Sequence, residues 1–162
     1  MDGYSNCANF TLDGLLTHDS GNPRAAWWTY KLYADGVATR VLSGSSDRRV
    51  VALASAGSAA DDQAQVLLGY FESAGAPPNQ VLEVELQNLY VLPFLTSADA
   101  ILVVLALIPN SGEQELEAPQ VLAKSTVPID KDGSAVLMLP PLNLHEGFWL
   151  TIQNAGAKRA MA

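Results

Sequence analysis

The stretch Asn22-Pro-Arg-Ala-Ala-Trp-Trp-Thr-Tyr-Lys-Leu-Tyr-Ala-Asp35 is the only helix-like pattern in this sequence, and the stretches that follow it alternate as strands do. Asn22 can cap a helix, and Pro23 suits the first helical position because its missing N–H would have no partner there. Gly36 suits the position just past the end of a helix. The pattern therefore predicts a helix over residues 23–35.

Aromatic side chains dominate this predicted helix. Trp27, Tyr30 and Ala34 fall at helical spacing and form its predicted apolar face, which Trp28 and Leu32 widen. Neighbouring residues on a helix point about 100° apart, so both tryptophans can be buried only if the helix lies between two partners. We therefore expect the helix to bridge the strand-rich part of the chain and a second partner, with an interface formed by Trp27, Trp28, Tyr30 and Tyr33.

From residue 49 onward the apolar residues follow a period of two, which is typical of strands. Leu82, Val84 and Leu86 alternate with Glu83 and Glu85, and this alternation predicts a strand with one solvated face. The predicted strands span residues 49–54, 64–71, 80–86, 100–108, 121–129, 134–139 and 147–152. Short strands without helices between them predict an all-β fold, an antiparallel β-sandwich of about seven or eight strands with one N-terminal α-helix.

Composition and charge exclude several classes of function. The chain has 162 residues, of which 49% are hydrophobic and 16% charged, so it suits one globular domain, or one domain with a short attachment. We expect residues 1–36 to form an irregular lead-in and the helix, residues 37–154 the sandwich, and residues 155–162 a flexible tail. The net charge of -8 disfavours nucleic acid and anionic membranes as partners. The longest apolar stretch, residues 100–109, is too short to cross a bilayer.

The sequence predicts no catalytic residue, metal site or cofactor. It contains no nucleophile elbow and no glycine-rich phosphate loop. Glu83 and Glu85 are about 7 Å apart by strand rise, a separation that a glycosidase pair could have, but two solvated glutamates on an amphipathic strand are the favoured interpretation. Asp130-Lys-Asp-Gly133 resembles the start of a calcium loop but lacks the later ligands, which favours a hairpin turn. Cys7 is the only cysteine, so the chain can form no internal disulfide.

Aromatic side chains could stack on sugar rings. Tyr90, Phe94 and Trp149 are the candidates for carbohydrate contact, with Glu83 and Glu85 as acceptors for sugar hydroxyl groups. Aromatic residues in strands more often belong to the core, and this simpler interpretation is favoured for them. A carbohydrate-binding module and a structural or protein-binding sandwich both remain open at this point.

Short sequence words along nearly the whole chain resemble one enzyme family. They lie in residues 13–16 with 21–35, in 50–55 with 65–69, and in 107–110, 121–127, 137–142 and 148–152. The first set is similar to the last barrel helix of a retaining glycoside hydrolase of the β-xylosidase, α-L-iduronidase and α-L-arabinofuranosidase type. The second set resembles the first hairpin of that family's C-terminal sandwich, and the third set resembles its final strands.

The resemblance implies a glycoside hydrolase parent without its catalytic half. The family's two catalytic glutamates lie in a (β/α)8 barrel, and no position of this sequence matches either motif. We therefore expect a non-catalytic accessory domain that supports such a barrel, with a free-standing carbohydrate-binding module or a protein-binding sandwich as alternatives. The expected partner is the barrel, or a second copy of this chain through the aromatic helix, and possible ligands are glycans. The resemblance also implies secretion, which would give the glycosylation sequon at Asn9 a meaning, although the N-terminus shows no signal-peptide pattern and a cytoplasmic location stays open.

Overall fold

The computed structural model describes residues 14–17, 19–36, 39–57, 62–70 and 81–156. Within this part of the chain, one α-helix, α1, precedes eight strands, and two short 3-10 helices lie between the fourth and fifth strands. The elements are α1 Ala25–Gly36, β1 Arg40–Val41, β2 Val50–Ser55, β3 Gln63–Tyr70, β4 Leu82–Leu86, β5 Ala100–Ile108, β6 Gln120–Pro128, β7 Ala135–Leu139 and β8 Gly147–Asn154, with 3-10 helices at Leu89–Val91 and Pro93–Leu95.

The strands form two antiparallel sheets that pack face to face. The larger sheet has the order β1-β2-β3-β8-β5-β6, and the smaller sheet consists of β4 and β7. Alternate residues of each strand enter the space between the sheets, as the period of two requires. On β8 these residues are Phe148, Leu150 and Ile152, each at most 2% exposed, whereas Trp149 points to the opposite face of the sheet. The predicted all-β sandwich with one helix is confirmed.

The local patterns located the elements well. Each of the seven predicted strands has a counterpart within a few residues, and the helix begins at Ala25 rather than Pro23. The additional strand β1 has only two residues, too few to produce a periodic signal. The strand over 100–108 is largely buried on both faces, as its continuous apolar sequence predicted, because the smaller sheet covers one face and α1 covers the end of the other.

The predicted turn between the fifth and sixth expected strands is also present. The amide of Gly133 donates to the carbonyl of Asp130 at 2.9 Å, and Gly133 has a φ of 82°, which favours glycine. The Asp132 carboxylate accepts hydrogen bonds from the hydroxyl and the amide of Ser134 at 2.8 and 3.2 Å, and these bonds lower the pKa of Asp132. The predicted hairpin was wrong, however, because the turn connects β6 of the larger sheet to β7 of the smaller one, and these strands pair with β5 and β4 instead of with each other.

Several predictions fall outside the described residues. These concern Cys7, the sequon at Asn9, the last residue of the strand predicted over 64–71, and the tail beyond residue 156. The domain divisions after residues 36 and 154 stay predictions.

Candidate functional site

The helix lies on the outer face of the larger sheet, where it forms a second apolar cluster. Leu32, Ile108 and Leu116 are its buried members, and Ala25, Trp28, Leu67 and Trp149 pack around them. Trp28 and Leu32 are four residues apart and therefore lie on the same side of the helix. The predicted apolar face, centred on Trp27, Tyr30 and Ala34, was wrong in this respect, since Tyr30 and Ala34 are exposed.

The loop between β5 and β6 holds the N-terminal end of α1 through hydrogen bonds. The indole Nε1–H of Trp28 donates to the carbonyl of Leu116 at 2.6 Å, and the amide of Leu116 donates to the carbonyl of Pro23 at 2.7 Å. The Nε and Nη2 atoms of Arg24 donate to the carbonyl of Gly112 at 3.1 and 2.7 Å. The glutamates of this loop are exposed, while its backbone binds the helix.

The C-terminal end of α1 rests directly on the sheet at Gly36. A β-carbon at this position would lie 1.7 Å from Oε1 of Gln65. Gln65 is only 9% exposed, and its Oε1 accepts a hydrogen bond from Nε1 of Trp149 at 3.2 Å. The loop between β5 and β6 thus holds the N-terminal end of the helix, and the sheet meets its C-terminal end.

The outward face of α1 is aromatic and accessible. Tyr30 and Tyr33 are 65% and 43% exposed. Trp27 is half-buried because its ring packs edge-on against Trp28, with centroids 4.8 Å apart and an interplanar angle of 86°. Since Trp28 packs against this chain's own sheet, the part of the predicted interface that remains accessible to a partner consists of Trp27, Tyr30 and Tyr33.

The three aromatic candidates for sugar contact do not share one platform. Tyr90 and Phe94 are half-buried against the main core, and the Tyr90 hydroxyl donates to the carbonyl of Asp130 at 3.2 Å. Trp149 lies beneath α1 on the other face of the larger sheet. A role in carbohydrate binding stays a prediction for all three residues.

Glu83 and Glu85 lie on the exposed outer face of β4, as the alternation predicted. Their neighbours across the sheet are Met138 and Val136, so neither glutamate faces a second carboxylate in the β4–β7 pairing. The Glu85 carboxylate accepts a hydrogen bond from Gln87 at 2.8 Å. The two glutamates lie close together on one exposed surface, and neither has a second carboxylate opposite it on β7 that would complete an acid–base pair.

Other chemistry has little support among the described residues. They contain no group of three metal-ligating side chains, and none of their helices is long and apolar enough to span a bilayer. A shallow hollow of about 500 Å³ lies beside Asp99 and Asn154, and another of about 320 Å³ lies between Asn22 and Glu117. Neither hollow is lined by a histidine or a cysteine.

Comparison with known proteins identifies the fold. No protein-family model and no curated protein matches the chain. The structure is similar to that of N2152 from Neocallimastix frontalis, with a TM-score of 0.71, 20% identity, and coverage of 89% of this chain and 34% of that chain. It is also similar to the GH39 enzyme from Xanthomonas axonopodis pv. citri, with a TM-score of 0.57, 13% identity, and coverage of 87% and 32%.

The chain spans about a third of the length of these two solved structures. At these identities the likeness concerns the fold. The sandwich with its leading helix therefore has the fold of part of a protein described as a GH39 enzyme.

Proposed function

We propose that this chain is a non-catalytic accessory β-sandwich of a glycoside hydrolase, which supports a (β/α)8 catalytic barrel through α1. The observation that carries the proposal is the division of α1 into two apolar faces. Trp28 and Leu32 pack on the sandwich, whereas Tyr30 and Tyr33 are exposed on other sides of the helix. The similarity in fold to part of a GH39 enzyme supports the same conclusion.

The outward face suits contact with an uncharged protein surface. The two charged side chains on this part of the helix, Lys31 and Asp35, form an ion pair with each other. Ala26 and Ala34 are exposed and small, so a neighbouring helix could approach closely between the aromatic rings. Aromatic side chains such as these are enriched at the centre of protein interfaces, where they become buried when the partner binds.

The first experiment measures the size of the natural polypeptide with an antibody against this domain, in both cell and secreted fractions. A barrel adds roughly 250 residues, so a band larger by that amount supports the proposal. A band at the size of the 162-residue chain would contradict it. Detection in the secreted fraction would support secretion, which we also propose.

The second experiment tests the surface in that longer polypeptide. Tyr30→Asp should expose the sandwich to limited proteolysis and lower the melting temperature, because a charge would be buried against the barrel. Val91→Asp is the matched control, since Val91 is 79% exposed in a 3-10 helix that packs on the main core, away from α1. If the two substitutions have equal effects, the proposed contact between α1 and the barrel is contradicted. If the 162-residue chain forms a dimer and Tyr30→Asp dissociates it, the outward face of α1 binds a second copy of the chain instead of a barrel.

A further inference from the structure

We propose that the loop between β5 and β6 is a clasp that makes α1 part of the sandwich's own folding unit, so that helix and sheets unfold together. The proposal goes beyond the proposed function, because it concerns the chain alone and holds whether or not a barrel is present. It places the boundary of the cooperative unit before α1, whereas the sequence predicted a boundary after residue 36.

The Lys31–Asp35 ion pair at i,i+4 contributes only a few tenths of a kcal/mol, about what such pairs give isolated helices, and α1 has few other local features that stabilise an isolated helix. It has 12 residues, with no acidic residue in its first turn and no basic residue in its last turn. Helices of this length are marginal in water even with favourable sequences, and charges that complement the helix dipole are a main local source of stability. Arg24 even places a positive charge next to the N-terminus. The stability of α1 must therefore come from tertiary contacts.

The clasp supplies those contacts where the helix most needs them. The first amides of a helix have no partner within it, and the amide of Ala25 donates instead to Oγ of Ser111 at 3.3 Å. The Arg24 guanidinium is turned away from the helix axis to the carbonyl of Gly112. The Trp28 indole donates a hydrogen bond to the carbonyl of Leu116, and the Leu116 side chain is buried in the cluster beneath the helix.

The sandwich depends on the helix in return. Ile108 is 2% exposed, and with Leu67 and Trp149 it forms an apolar surface on the outer face of the larger sheet. Without α1 this surface would face water on three adjacent strands. Because each part covers what the other would expose, the free energies of the helix and the sheets are coupled. Any partner that binds the outward face of α1 would then have its orientation to the sandwich fixed by the clasp.

Hydrogen exchange of the 162-residue chain, followed by mass spectrometry, tests the proposal. We expect the amides of α1 to be protected to within a few fold of those in β3 and β8, since one unit opens in a single step. Trp28→Phe keeps an aromatic ring but removes the indole donor, and should lower protection about fivefold in α1 and in β8 alike. Tyr30→Phe on the exposed face is the control and should change neither.

Three results would overturn the proposal. The first is rapid exchange of the α1 amides while the amides of β3 and β8 stay protected. The second is a loss of protection in Trp28→Phe that is confined to α1. The third is an equal change of protection in Trp28→Phe and Tyr30→Phe. Ser111→Ala, which removes the acceptor of the Ala25 amide, provides a milder second variant if Trp28→Phe folds poorly. All of these measurements use the chain without a barrel, so their failure is distinct from a failure of the proposed function.

Discussion

Replacement of Gly36 by alanine should weaken the packing of α1 on the sheet, although alanine is the better helix former. The new β-carbon would lie 1.7 Å from Oε1 and 2.6 Å from Cδ of Gln65, far inside contact distance. Gln65 must then turn away and release the hydrogen bond from Nε1 of Trp149. An indole donor left without a partner in this half-buried position costs about 1–3 kcal/mol.

Two further effects decide the net magnitude. A strained rotamer of Gln65 would cost about 0.5–1.5 kcal/mol. The higher helix propensity of alanine would return at most about 1 kcal/mol. We therefore expect Gly36→Ala to lower the free energy of unfolding by about 1–3 kcal/mol, which corresponds to a decrease of about 2–4 °C in melting temperature per kcal/mol for a domain of this size.

Urea unfolding followed by tryptophan fluorescence measures the effect, and a double-mutant cycle with Gln65→Ala assigns its cause. In the Gln65→Ala background, Gly36→Ala should be neutral or stabilising, because the obstructing side chain is absent. Gly44→Ala is the control, since Gly44 is exposed and a β-carbon there meets nothing within 4 Å. The reasoning is refuted if Gly36→Ala and Gly44→Ala shift the midpoint equally, or if Gln65→Ala leaves the effect of Gly36→Ala unchanged.

Two further predictions concern loops. Gly133→Ala should destabilise the chain by about 2 kcal/mol in urea unfolding, because φ is 82° and a β-carbon would lie 2.9 Å from the Tyr90 ring. Gly112→Ala is the control and should destabilise the chain less, because Gly112 also has a positive φ but a β-carbon there meets no atom within 4 Å. Hydrogen bonds from Arg49 hold the pKa of Asp47 at about 2, below the 3.8 that is usual for an aspartate. The stability contributed by this ion pair is therefore present above pH 3.8 and is lost as the pH falls through about 2. Titration followed by carboxyl carbon NMR should give Asp47 a midpoint at about pH 2, and the Arg49→Ala substitution should raise this midpoint towards 3.8. A midpoint near 3.8 in the unmodified chain would contradict the ion pair.

The alternation of residues predicted the strands because each strand must present one side to the core. Leu82, Val84 and Leu86 pack against the main core, while Glu83 and Glu85 are exposed. Pairing between strands could not be predicted in the same way. β6 and β7 are neighbours in the chain but belong to different sheets, and β8 lies between β3 and β5. Such pairings depend on contacts between residues about 90 positions apart, such as Gln63 with Gln153, which carry no local signal.

The candidate site shows the same division. The sequence indicated an aromatic helix that needs partners, because Trp27 and Trp28 cannot share one face. It did not indicate that Trp28 would be the docked residue, since apolar side chains occur on several sides of this helix. Nor could it indicate the role of the loop over 109–119, whose contacts with the helix are made mainly by backbone atoms and therefore leave little trace in residue type.

The sequence by itself determined the class of fold, the positions of the helix and strands, and the tight turn at Asp130–Gly133, because periodicity and turn chemistry act over a few residues. The tertiary structure alone decided the order of the strands, the face of α1 that packs on the sheet, and the fit of Gly36 against Gln65. These features arise where distant segments exclude water from each other, and the free energy of that contact belongs to the pair of surfaces, not to either stretch of sequence.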